Sequence, residues 1–153
     1  MSTHQDSIEN TKEVTKIILL VRGQKVILDS DLARVYGVQT KRLNEQVRRN
    51  KERFPEDFMF QLNKHEALKL LSSRSQNATL KQGHNIKYLP FVFTEHGALM
   101  AANILNSARA VQMSVYVIRA FIRMREAFID NQILHKRLAE IETVLLSHDT
   151  CLR

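Results

Sequence analysis

The sequence predicts an α+β fold, a helix-turn-helix set among short strands, followed by a long C-terminal helix with coiled-coil character. Three observations lead there. Residues 31–50, DLARVYGVQTKRLNEQVRRN, read as two helical segments hinged on one glycine. The β-branched run KVIL and the aromatic run YLPFVF have the composition and length of strands. The segment after Ser107 keeps helical character for longer than an ordinary globular helix. With 153 residues, 44% hydrophobic and 25% charged, the chain can bury one core and carry a small appendage.

In chain order, Met1 to Lys12 is polar and reads as a frayed end. Val14 to Leu20 is apolar and leads through the turn Arg22-Gly23-Gln24 into Lys25-Val26-Ile27-Leu28, a strand or hairpin. Asp29, Ser30 and Asp31 are candidate N-caps for a helix holding Leu32, Ala33 and Tyr36, which Gly37 ends. Thr40 caps a second helix that runs to about Asn50 or Arg53, because Pro55 disfavours helix at Phe54. Phe58 to Leu62 is a short strand, and Asn63-Lys64-His65-Glu66 is a capping box for a helix carrying Ala67, Leu68 and Leu71. Ser72 to Lys87 reads as an exposed polar loop, and Tyr88 to Phe93 as a strand whose Pro90 marks an edge or a start. Thr94 caps a helix to about Leu105, and Ser107 caps the last one. The organisation expected is a flexible N-terminus over 1–13, a domain over 14–128 and a helical tail over 129–153.

Charge narrows the function. The formal net charge is +7, which favours a polyanionic partner: nucleic acid first, a membrane surface second. No apolar run approaches the ~20 residues that cross a bilayer, and the first residues lack the apolar stretch of a signal peptide, so a cytoplasmic protein is expected. The lone Cys151 offers neither a disulfide framework nor a thiolate cluster.

The basic excess is concentrated. Between Arg34 and Arg53 stand seven bases (Arg34, Lys41, Arg42, Arg48, Arg49, Lys51 and Arg53) against Glu45 and Glu52, a local +5. At ~100° per residue Leu43 and Val47 define a buried face, with Lys41, Glu45, Arg48 and Arg49 opposite and Arg42 beside them. Glu45 lies four residues from both Lys41 and Arg49, so helix-surface ion pairs are the bland alternative. Two acids cannot neutralise seven bases, and the paired-helix spacing favours double-stranded DNA. Lys41, Arg42, Arg48 and Arg49 are the leading candidates for phosphate or base-edge contact, with Lys51 and Arg53 continuing the basic stretch. Gln39 and Thr40 stand at the helix N-terminus, where phosphate is commonly met. The amides of Asn44 and Gln46 are either adenine readers or capping and surface groups. Arg74, Lys81 and Lys87 make the polar loop either a wing over the backbone or a solvated segment.

Other constellations fail. His65, His84 and His96 lack ligand spacing, so no metal is expected. Asp29 and Asp31 read as caps rather than as paired catalytic carboxylates. No phosphate-binding glycine loop or activated nucleophile is present, so neither an enzyme nor a cofactor is expected.

Three blocks, VILDSDLARVYGVQTKRLNEQVRRNKERFPEDFMFQL, LPFVFTEHGALMAANILNS and VIRAFIRMRE, resemble the ORF6N domain, a relative of the KilA-N domain of phage and prophage proteins. The resemblance spans about Val14 to Phe128. It implies an α+β DNA-binding domain in a phage- or prophage-derived transcriptional regulator, without catalytic activity. The rival it leaves open is an antirepressor-like module that binds a phage repressor without touching DNA.

Along the tail, Met124, Ala127, Asn131, Leu134, Leu138, Ile141 and Leu145 recur at steps of three and four, the a/d spacing of a coiled coil. Asn131 falls at an a position, and Arg137 and Glu142 at g and e. Val115 to Phe128 is expected to close the core, and Leu134 to Leu145 to associate with another chain as a homodimer.

Overall fold

The computed structural model describes residues 3–74 and 88–151. Helix α1 (Thr3–Ile17) leads into a hairpin of β1 (Leu19–Val21) and β2 (Gln24–Leu28). The pair α2 (Asp29–Tyr36) and α3 (Thr40–Arg49) follows, then a 3-10 turn over Lys51–Arg53. Strand β3 (Met59–Gln61), α4 (Lys64–Arg74), β4 (Phe91–Phe93), α5 (Glu95–Leu105) and α6 (Ala108–Cys151) complete the described order. The chain divides into two units, residues 1–121 and 122–153.

The frayed end expected over Met1 to Lys12 is corrected: from Thr3 onward it is helix. Thr11, Val14 and Ile18 are buried, a stripe too narrow to stand out against the polar residues around it. The hydroxyls of Thr11 and Thr15 donate back to the carbonyls of Ser7 and Thr11 at 2.8 and 2.7 Å. The apolar run that follows is therefore helix to Ile17, and its strand begins only at Leu19.

The sheet has the order β1-β2-β4-β3 with every pair antiparallel. The hairpin turns at Arg22 and Gly23, both at positive φ (53° and 74°), so Val21 pairs with Gln24. Pro90 precedes β4, as a strand start. The strand itself is shorter than expected and interior, because the sheet pairs Phe93 with both Ile27 and Met59 and leaves Tyr88 and Leu89 outside. Val26, Ile27, Val92 and Phe93 are fully buried on this sheet, with Leu32, Leu43 and Tyr36 on the helices beside it.

Local capping chemistry places α4 and α5. Asn63 and Glu66 close their box in both directions, amide to side-chain oxygen, at 3.0 and 2.8 Å. The Thr94 hydroxyl accepts from the Gly97 amide (3.4 Å) and donates to the carbonyl of Asp57 at 2.8 Å. This binds the start of α5 so tightly to the chain at Phe58 that a Cβ on Gly97 would lie 1.8 Å from the Phe58 carbonyl oxygen. Only glycine fits there. Ser107 caps α6 through the Ala110 amide at 3.1 Å.

In α6, Ala110, Ser114, Val117, Ala120 and Phe121 are buried. Burial stops at Phe121 rather than at Phe128: Ile122, Phe128 and Ile129 are exposed. No helix of the described residues is long and apolar enough to cross a membrane.

Candidate nucleic-acid interface

The turn between α2 and α3 forms because Gly37 accepts a left-handed backbone, φ 72°. Its amide donates to the Arg34 carbonyl (3.2 Å) and the Val38 amide to the Ala33 carbonyl (2.9 Å), a Schellman closure of α2. Gln39 is extended and its carbonyl accepts the first α3 bond, from the Leu43 amide at 3.0 Å. The caps expected from side chains are not the ones used. Asp29 is the first residue of α2, after a Leu28 cap position with no side-chain bond, and Thr40 is the first residue of α3 rather than its cap.

Leu43 and Val47 are buried against the core, 0% and 5% exposed, and this fixes the rotation of α3. Lys41, Arg42, Arg48 and Arg49 are all exposed, and Lys51 and Arg53 continue the exposed basic series on the 3-10 turn. Among the described residues, no ion pair engages any of these six, whereas Lys16, Arg22 and Arg34 are paired with Glu13, Glu66 and Asp31. The helix-surface pairs that Glu45 was placed to make with Lys41 and Arg49 are not formed. Gln39 is exposed, while Thr40 and Gln46 are half-buried. Lys81 and Lys87 lie outside the described residues. Arg74 ends α4, and its side chain also lies outside what is described.

Asn44 has a different task. Its Nδ2 donates to Asp29 Oδ2 at 3.1 Å and to the Tyr88 hydroxyl at 2.6 Å. Tyr88 in turn donates to Asp29 Oδ2, which also accepts from the Phe91 amide at 3.3 Å, while Asp29 Oδ1 accepts from the Ser30 amide at 2.7 Å. Both Nδ2 hydrogens of Asn44 are thereby used within the protein, so its amide cannot make the donor-acceptor pair that reads adenine. Burial, then the hydrogen bond to Asp29, pushes the Tyr88 hydroxyl well above its ordinary pKa, so it stays a donor. Asp29, 1% exposed, thus ties α2, α3 and the lead-in to β4 together. Thr40, Lys41, Asn44, Glu45, Arg48 and Tyr88 surround a shallow groove on the outer side of α3.

Two supports went unseen in the sequence. Tyr36 donates its hydroxyl to the Ala98 carbonyl at 2.7 Å, fastening α2 to α5. Arg109 donates from Nε to the Val35 carbonyl at 3.3 Å and lies over Gly37, where a Cβ would sit 2.4 Å from its Cδ. No local pattern could have found either, since the partners are 62 and 74 residues apart.

These elements define a small α+β domain that presents a basic helix, held by a close-packed helix pair and a four-stranded sheet. The chain belongs to the ORF6N domain family, a phage-associated family, which matches residues 16–104. The match takes in the sheet, the helix pair and nearly all of α5. It ends before the VIRAFIRMRE block in α6. No curated protein and no solved structure matches the chain.

Proposed function

We propose that this chain binds double-stranded DNA as a helix-turn-helix protein, with α2 crossing the backbone and α3 in the major groove, and that it serves as a phage- or prophage-derived transcriptional regulator. The observation that carries the reading is the partition of α3: Leu43 and Val47 buried, and Lys41, Arg42, Arg48 and Arg49 exposed with no ion pair among the described residues. Cations held on a rigid helix meet phosphate and release condensed counterions, the term that dominates nonspecific affinity. Because Asn44 is engaged internally, base-edge contact falls to the same four residues and to the carboxamide of Gln46. In this reading the chain is a binding protein and not an enzyme.

The test is titration of random-sequence duplex DNA at several salt concentrations. The parent is expected to bind at micromolar protein in low salt, with affinity falling steeply as salt rises. Arg48→Ala and Arg49→Ala should each weaken binding to all sequences and lower the log–log salt slope by about one. A parent that does not bind duplex DNA, or two variants with the parent's affinity and slope, overturns the reading. Capture of a repressor by a chain that ignores DNA would put the antirepressor reading in its place.

A further inference from the structure

Residues 122–147 form helix in which all the side chains but one, Met124, are exposed. Leu134, Leu138, Ile141 and Leu145, 55%, 47%, 53% and 63% exposed, lie within a narrow sector of that helix. Phe128 and Val144 flank them at e and g and widen the stripe. A single helix gains little from such a stripe in water, where it must be covered to stabilise the helix.

We infer that residues 124–145 pair with the same segment of a second copy of this chain, as a parallel, in-register, two-stranded coiled coil. The flanking charges fit a parallel orientation. In a parallel pair each g residue meets the e residue five positions further along the other helix. Arg137 then faces the second copy's Glu142, and Asp130 faces the second copy's His135, so the two charged g positions of the segment each meet a complementary group, twice by symmetry. Asn131 gives the same answer. In register it meets Asn131 of the second copy, and two carboxamides satisfy one another. In an antiparallel pair an a residue packs against d residues, here Ala127, Leu134 and Ile141, and the amide is buried without a partner. The Asn131 pair also favours two strands over the larger bundles that Leu138 at a with Ile141 at d would accept.

Sedimentation equilibrium of the full chain without DNA tests this, so that its failure leaves the DNA reading untouched. The parent is expected to dimerise in a concentration-dependent way. Leu138→Glu is expected to be monomeric with its 1–121 unit folded, since residue 138 lies outside that unit and is exposed in the single chain. Arg137→Glu and Glu142→Arg should each weaken the dimer about tenfold by setting like charges opposite. An equimolar mixture of those two variants should recover the parent's affinity as a heterodimer. A parent still monomeric at ~100 µM, a trimer or tetramer, a dimeric Leu138→Glu, or variants that gain nothing on mixing would each overturn the proposal.

Discussion

Asp29 shows how far one residue's job can lie from its local pattern. Its place before a helical stretch suggests a cap, yet its carboxyl organises Asn44, Tyr88 and the Phe91 amide, which stand 15, 59 and 62 residues away. Replacing Tyr88 by Phe removes one donor from a buried acceptor and one acceptor from Asn44. Because the Tyr88 side chain is itself half-exposed, water can replace part of the loss, and a cost of about 1 kcal/mol is expected. Chemical denaturation measures it; a Tyr88→Phe variant as stable as the parent would mean that the hydroxyl does not help to hold α3. Local caps were legible only in part: the Asn63–Glu66 box, Thr94 and Ser107 cap as expected, whereas Asp29 and Thr40 each fall one residue inside the helix they were expected to cap.

At the scale of elements, the rotation of α3 was legible because burial of Leu43 and Val47 follows from period alone. The N-terminal helix was not, because composition averages over a face and α1 buries only a thin stripe. The hairpin was half legible. Its turn was marked by Gly23, but nothing announced that Arg22 reaches α4. There its guanidinium meets Glu66 at 2.8 Å and lies 4.6 Å above the Phe60 ring. The Arg22 guanidinium, then the Asn63 amide, holds the Glu66 carboxyl down from its ordinary 4.5 to about 2. A carboxyl depressed on folding stabilises the fold in full above its unfolded value and loses that contribution as the pH falls through its folded value. Between pH 4.5 and about 2 the parent should therefore lose stability more steeply than Glu66→Gln. Salt should narrow the difference, because Arg22 is half-exposed. Parallel acid-unfolding curves for the two proteins would show that the pair contributes nothing measurable.

On the scale of the whole chain, α6 runs without interruption across the point where burial ends, between Phe121 and Ile122. Backbone hydrogen bonds on the two sides of that point should open by different routes. Amides before it, around Val117 to Phe121, exchange with solvent deuterium only when the packed unit itself opens. Those from Ile122 onward need only a local loss of helix. Amide exchange followed by mass spectrometry at low protein concentration should therefore show a step in protection within one continuous helix. Raising the concentration should slow exchange after the step and leave it unchanged before it. Uniform protection along α6 at every dilution would mean that the helix is secured along its whole length within one chain. A stepped profile makes the far half of α6 a concentration gauge: its order reports how many copies are present, while the basic face of α3 stays formed at any dilution.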